Sequence, residues 1–214
     1  MNIALILAAG NSNRYNGEKP KQFEYLNDKM VLEYSVNTFI EHSEIEEVIL
    51  VVHNDYLQKI KKIIKNCKII SGGKRRQDSS LMGLMACPKN TKNVLIHDAA
   101  RPFVSKKIID DCLIELKHNV AVCPALSFTD TIAEVNPDKN ISKMLNRNIL
   151  FGLQTPQAFK YKTILDCHKK LEKNVTDDIS VIKEFNYNCK IIEGCHKNMK
   201  ITFKDDLKKI NLLL

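Results

Sequence analysis

Short aliphatic runs alternate along the chain with longer stretches of helical periodicity. Residues 2–8 are apolar after Asn2, the pattern of a strand buried on both faces. Residues 30–41 set Leu32, Val36, Phe39 and Ile40 on one helical face. Residues 47–52 repeat the buried-strand pattern. Over 55–65, Leu57, Ile60, Ile63 and Ile64 oppose a lysine-rich face, and 67–70 predicts a short third strand. A helix over 78–85, capped by Asp78 or Ser79, follows Gly72-Gly73, and a strand over 94–96 ends at His97-Asp98. A helix over 105–117 carries Ile108, Ile109, Cys112 and Leu116, and 120–126 predicts a fifth strand. Such alternation argues for an α/β layered fold with a largely parallel sheet, whose ligands sit beyond the carboxyl ends of the strands. The loops after residues 8, 71 and 97 are therefore where chemistry is expected.

The pattern breaks over 127–147. Residues 131–135 read as a strand, 136–140 as a turn cluster and 141–145 as a returning strand. The hairpin is too polar for core. It is either an arm that needs a partner to bury it, since an isolated two-stranded hairpin is marginal in water, or an edge hairpin of the main sheet. Helices over 160–172 and 177–185, a strand near 189–193 and a closing helix from about 204 complete the reading. Pro156 is expected to start the first of these helices and Thr176 to cap the second.

Composition narrows the class. A length of 214 residues suits one domain, and 44% hydrophobic with 27% charged residues is the balance of a globular protein. No run approaches the ~18 apolar residues of a membrane span, and the apolar start is too short and wrongly flanked for a secretory signal. The net charge of +8 suits nucleic acid, an anionic membrane or a phosphorylated small molecule equally. A nucleic-acid module would interleave a basic stripe with aromatics; the chain has no tryptophan and 7% aromatics, which argues against it. Seven cysteines without a CxxC disfavour a disulfide framework and a zinc site, and imply free thiols in a cytoplasmic setting.

Five loops carry candidate chemistry. Ala8-Ala9-Gly10-Asn11-Ser12 lets backbone N–H groups approach a ligand, with Arg14 and Lys21 supplying positive charge; a solvated turn with surface cations is the other reading. Gly72-Gly73 permits a tight turn before a helix whose first N–H groups can face an anion. Asp98, ending a parallel strand, is placed to hold Mg²⁺ on a polyphosphate or to cap the next turn. His97 beside it reads as a satisfied structural histidine more readily than as a ligand or base. Arg147 can reach an anion bidentately or lie on the surface. Lys200, between Met199 and Ile201, has either an interior task or a solvent-facing strand position.

Taken in order, these segments resemble one family. Leu-Ala-Ala-Gly at 7–10 with Arg14, Pro-Lys-Gln at 20–22, Gly-Gly-x-x-Arg-x-x-Ser at 72–79 and His-Asp-Ala-Ala-Arg-Pro at 97–102 are followed by Gln-Thr-Pro-Gln-x-Phe at 154–159, Thr-Asp at 176–177 and Asn-Met-Lys-Ile-Thr at 198–202. Together they are similar to the 2-C-methyl-D-erythritol 4-phosphate cytidylyltransferases of non-mevalonate isoprenoid synthesis. The resemblance implies a Rossmann-like three-layer α/β sandwich over 1–214. It has a mostly parallel central sheet and a protruding β-hairpin dimerisation arm at 127–147. It implies CTP and a sugar-alcohol phosphate as substrates, Mg²⁺ as cofactor, and a homodimer in which the arm completes the partner's site. Carried over by position, Ala8, Ala9, Gly10, Asn11, Ser12, Gly73 and Ser79 contact the nucleotide. Arg14 and Lys21 stabilise the transition state, and Arg147 and Lys200 position the acceptor phosphate. Asp98, Arg101, Thr131, Thr155 and Thr176 line the acceptor site, Asp98 also lying near the metal. The chain departs from the family pattern at Leu7, at Ser12 where a second glycine is usual, at Asn13, at Ser127-Phe128-Thr129 and at Ala133. The related ribitol 5-phosphate enzymes tend to Ser-Val-Arg-Pro where this chain has Ala99-Ala100-Arg101-Pro102, which weights the reading toward the isoprenoid enzyme.

Overall fold

The computed structural model describes residues 1–12 and 14–212; Asn13 lies outside the described residues. The elements in chain order are β1 (Asn2–Ala8), β2 (Tyr25–Leu26), β3 (Lys29–Met30), α1 (Val31–Ile40), β4 (Glu47–Val52), α2 (Leu57–Ile63), β5 (Lys68–Ser71), α3 (Arg76–Met85), β6 (Asn93–Asp98), α4 (Lys106–Glu115) and β7 (Ala121–Ser127). They continue with β8 (Ile132–Val135), β9 (Ile141–Leu145), β10 (Phe151–Leu153), β11 (Gln157–Lys160), α5 (Tyr161–Lys170), α6 (Asp178–Glu184), β12 (Cys189–Glu193) and α7 (Lys204–Asn211).

The central sheet has eight strands in the order β10-β7-β11-β6-β1-β4-β5, with β12 also paired to β7. Pairing is parallel through β6, β1, β4 and β5 and between β12 and β7. It is antiparallel where β11 meets β6 and β7 and where β10 meets β7. The continuous aliphatic run of β1 is explained by burial on both faces. Ala4, Ile6 and Ala8 pack with Leu32, Val36 and Phe39 of α1, Ile60 of α2 and Ile108, Ile109 and Cys112 of α4. The alternate residues Ile3, Leu5 and Leu7 pack with Leu84 of α3, Ile164 of α5 and Ile179 and Ile182 of α6. The result is the three-layer sandwich expected. A smaller cluster of Tyr15, Leu26, Val31, Ile201 and Ile210 seats α7 and the strand pair β2–β3 against the main body.

Helix α3 lies close on the sheet because Gly83 faces β1. A Cβ there would stand 2.2 Å from Leu5 Cδ1. Leu5 is fully buried and has nowhere to go. Gly83→Ala is therefore expected to destabilise the fold by about 1–3 kcal/mol through overpacking, with the better helix propensity of alanine offsetting only part of it. Urea unfolding checks this; an unchanged or raised midpoint would contradict such close packing.

Four local expectations need correction or decision. The helix expected at 78 begins at Arg76, so neither Asp78 nor Ser79 is its N-cap. Asp78 is its third residue, and its carboxylate accepts from the Arg75 backbone N–H at 3.1 Å. Pro156 does not start a helix: the Thr155–Pro156 peptide is cis and leads into β11, and α5 begins at Tyr161. Thr176 is not the cap of α6; Asp177 is, accepting from Ser180 N–H at 2.9 Å. The hairpin β8–β9 forms a two-stranded sheet of its own, which rules out the edge-hairpin reading.

Candidate active site

A cavity of about 500 Å³ opens beyond the carboxyl ends of β1, β5 and β6. Its first wall is the loop after β1, where Ala8, Ala9, Gly10, Asn11 and Ser12 all line the space. Gln22 holds this loop in shape. Its Nε2 donates to the carbonyls of Ala8 (2.8 Å) and Gly10 (2.9 Å), and its Oε1 accepts from Ser12 Oγ at 3.1 Å. Ser12 has φ of 59°, the left-handed region that favours glycine. That accounts for glycine being usual at this position in the family. Here the serine hydroxyl accepts from the Lys21 backbone N–H at 3.2 Å, tying the loop to the short 3-10 turn Lys21–Phe23.

The second wall follows β5. The paired glycines serve close packing rather than an unusual backbone angle. A Cβ on Gly72 would stand 2.5 Å from Ala9 Cβ, and one on Gly73 would stand 2.4 Å from Asp78 Cβ. Gly73 N–H donates to Ser79 Oγ at 3.1 Å, and both residues line the cavity.

The third wall is charged. Asp98 ends β6 and is the acidic side chain among the described residues lining the cavity. Arg76 Nε donates to its Oδ1 at 3.2 Å, and Lys200 Nζ to its Oδ2 at 2.6 Å. Burial opposes ionisation of Asp98, but Arg76, Lys200 and Arg101 outweigh it and hold the carboxyl well below its ordinary range. Arg14, Lys21, Lys74 and Arg75 add further positive charge to the lining. Lys21 is only 9% exposed. Burial, reinforced by repulsion from Lys200 and Arg14, lowers its pKa to about 8. Six cations, Arg14, Lys21, Lys74, Arg75, Arg76 and Lys200, thus line a space that holds one carboxylate, an arrangement that lacks an anion.

His97 is buried with both ring nitrogens engaged. Asp98 N–H donates to Thr155 Oγ1 at 3.1 Å, and Thr155 Oγ1 lies 3.0 Å from His97 Nδ1. His97 Nε2 lies 3.0 Å from the carbonyl of Arg101, which can only accept, so Nε2 carries the proton and Nδ1 accepts from Thr155. Burial pushes its pKa down to about 4. It is a neutral structural imidazole.

The structure therefore gathers Ala8, Ala9, Gly10, Asn11, Ser12, Arg14, Lys21, Gly73, Ser79, Asp98 and Lys200 around one cavity. Five expected residues do not line it. Thr155 stands behind Asp98 as just described. Arg101 is largely buried and donates from Nη1 to the Asn198 carbonyl at 2.7 Å, anchoring the segment that carries Lys200. Thr176 is exposed beside α6. Thr131 and Arg147 are exposed at the root of the β8–β9 hairpin, Arg147 donating to the carbonyl of Thr129. The sequence left Gln22 and Arg76 without a role, although both are fixed positions of the quoted motifs, Arg76 being the arginine of Gly-Gly-x-x-Arg-x-x-Ser.

The donor set bears on the expected Mg²⁺. Among the described residues no group of three or more His, Cys, Asp or Glu side chains could hold a metal ion. Both oxygens of Asp98 already face cations. These residues fit a metal carried by a polyphosphate, with Asp98 as one neighbour, rather than a site built from protein carboxylates.

The family model described as IspD, 2-C-methyl-D-erythritol 4-phosphate cytidylyltransferase, matches residues 2–214. The protein of that name from Clostridium botulinum (strain Loch Maree / Type A3) is 40% identical over 215 residues, covering 96% of this chain and 94% of its own. The one from Clostridioides difficile (strain 630) is 35% identical over 216 residues, covering 97% and 91%. The crystal structure of 4-diphosphocytidyl-2C-methyl-D-erythritol synthase from Anaerococcus prevotii matches with a TM-score of 0.86 at 29% identity, over 100% of this chain and 95% of that one. With its motif loops converging on one cation-lined cavity and a match that runs from residue 2 to residue 214, this chain belongs to the 2-C-methyl-D-erythritol 4-phosphate cytidylyltransferase family.

Proposed function

We propose that the chain transfers the cytidylyl group of CTP to 2-C-methyl-D-erythritol 4-phosphate, giving 4-diphosphocytidyl-2-C-methyl-D-erythritol and pyrophosphate. The observation that carries this reading is the cavity in which Arg14, Lys21 and Lys200 stand around the single carboxylate of Asp98. An oxygen of the acceptor phosphate attacks the α-phosphorus of CTP in line. The bond from that phosphorus to the bridging β-phosphate oxygen breaks, and its electron pair leaves with pyrophosphate. A phosphate monoester dianion is already a nucleophile, so no general base and no covalent enzyme intermediate are required. The work of the site is to bring two anions together and align them.

The roles follow from position. Residues 8–12, Gly73 and Ser79 receive the nucleotide. Arg14 and Lys21 stabilise charge developing on the α-phosphate and the departing pyrophosphate. Lys200, held by Asp98, takes the acceptor phosphate. Mg²⁺ bound by the CTP phosphates would neutralise part of their charge. Arg147 and Thr131 stand on the arm, so in this reading they serve the cavity of a second copy in a homodimer. Thr155 and Arg101 act behind the surface by holding Asp98 and the Lys200 segment. Among the described residues no helix is long and apolar enough to cross a membrane. That, with seven free cysteines, supports a cytoplasmic enzyme.

Both relatives described above bear the name of the methylerythritol phosphate enzyme, which favours that acceptor over ribitol 5-phosphate. Pyrophosphate release with CTP and a panel of methylerythritol, ribitol and glycerol phosphates tests the assignment. Saturable release with methylerythritol phosphate is expected. Release with ribitol 5-phosphate alone would overturn the acceptor, and no release with any of them would overturn the activity.

A further inference from the structure

A charged chain runs from the cavity into the helical layer behind the sheet. Lys200 Nζ meets Asp98 Oδ2 at 2.6 Å, Arg76 Nε meets Asp98 Oδ1 at 3.2 Å, and Arg76 Nη1 meets Asp178 Oδ2 at 2.7 Å. His168 Nε2, at the end of α5, lies 2.9 Å from Asp178 Oδ1. Asp178 has no exposed surface and does not line the cavity. Its carboxylate is not needed to begin α6. The Asp178 and Ile179 N–H groups donate to Gln157 Oε1, and Asp177 caps Ser180. A buried ion pair away from any ligand is weak evidence for stability, since well-packed apolar residues often serve as well. The charge at 178 calls for another reason.

We propose that Asp178 is a positioning residue, acting through Arg76 and Asp98 to hold the Lys200 ammonium in the acceptor site. The inference rests on the role given to Lys200 above. With Nη1 drawn back onto Asp178, the guanidinium meets Asp98 on one oxygen only and leaves the other to Lys200. Arg76 Nη2 already stands 3.2 Å from Asp98 Oδ1, yet it makes no hydrogen bond. Remove the charge at 178, and Asp98 becomes the sole anionic partner of Arg76. A small rotation then lets the guanidinium fork take both carboxylate oxygens, the arrangement it prefers, and Lys200 is displaced.

The test is Asp178→Asn in the full-length protein, with steady-state kinetics for each substrate and a thermal melt. The KM for methylerythritol phosphate is expected to rise on the order of tenfold, while that for CTP stays within about twofold. Lys200 should also label faster with an amine-acylating reagent, read by mass spectrometry. Should this variant be recovered unfolded, Asp178→Asn combined with His168→Gln decides. The two amides can hydrogen-bond to each other in place of the buried His168–Asp178 pair, the charge at 178 is still removed, and the same acceptor-selective rise is expected. Equal changes in both KM values, or no change in a folded variant, would overturn the proposal. Wild-type protein that releases no pyrophosphate from CTP and methylerythritol phosphate would instead overturn the reading of function on which it stands.

Discussion

Lys21→Ala is expected to lower kcat on the order of a hundredfold or more, the effect of losing a preorganised donor at a site of developing charge. The side chain is almost fully buried, stands with Arg14 and Lys200, and is fixed through its backbone to Ser12. A solvated lysine would contribute far less, because water already screens its partner. Pyrophosphate release under saturating substrates measures the effect, and an unchanged kcat would remove Lys21 from the reaction. A pH profile adds a second readout. With the pKa lowered to about 8, kcat/KM for CTP should fall as pH rises through 8, because the ammonium is lost from the free enzyme. Lys21→Arg, whose charge persists, should flatten that limb. The stability of the ligand-free protein responds in the opposite sense. Below pH 8 the charge is present in folded and unfolded chains, and its burial destabilises the fold. That penalty fades between about 8 and 10.5, where the unfolded chain binds more protons. CTP should therefore raise Tm more at pH 7 than at pH 9.5.

Arg147→Ala should be nearly inactive as well, and co-folding it with inactive Lys21→Ala should restore activity. If the arm of one copy serves the cavity of another, a mixed dimer has one site with both residues intact. Random pairing at equal amounts then gives roughly a quarter of wild-type activity, because half the dimers are mixed and each has one working site. If Arg147 serves its own chain, the mixture shows no more than the mean of the two inactive proteins. The exposed apolar side chains of the β8–β9 hairpin and of the segment 149–151 that follows it motivate this experiment. Val135, Ile141, Met144, Ile149 and Phe151 all face solvent on the isolated chain, more apolar surface than a free hairpin of this size explains. Gel filtration of the wild type gives an independent reading.

The sequence made the parallel half of the sheet legible because β1 and β4 are aliphatic on both faces. Their periods could not be mistaken for those of a surface strand. It concealed β11, which is short, begins with Gln157 and ends with Lys160. Gln157 is buried to bind the backbone of α6, a role that depends on residues twenty positions away. Pro156 misled for a related reason: a proline before a short mixed segment suits a helix start as well as a strand entry, and only the pairing of β11 with β6 and β7 decides. At the site, the small-residue loop and the cations Arg14, Lys21 and Lys200 could be read from motif order, and they share one cavity. The motif order singled out Arg76 from Lys74 and Arg75, but not its inward direction or its partners. Arg75 turns outward onto Asp78, while Arg76 turns inward between two carboxylates. Thr131 and Arg147 lie outside the quoted motifs and were expected at the site only through the resemblance, and one copy of the chain does not bring them to its own cavity.

The seat of β11 also bears on how the protein is made. β6 and β7 are consecutive parallel-sheet candidates in the sequence, yet β11 lies between them in the sheet. A chain emerging from the ribosome can pair β1, β4, β5 and β6 early, but it must keep the place beside β6 open until residues 157–160 have been synthesised. Until then β6 is an unprotected edge of Val94, Leu95 and Ile96, and β7 has no route into the sheet except through a wrong pairing with it. From residue 99 to residue 156 the nascent protein therefore carries β6 covered on one edge only, a period in which a chaperone has something to hold.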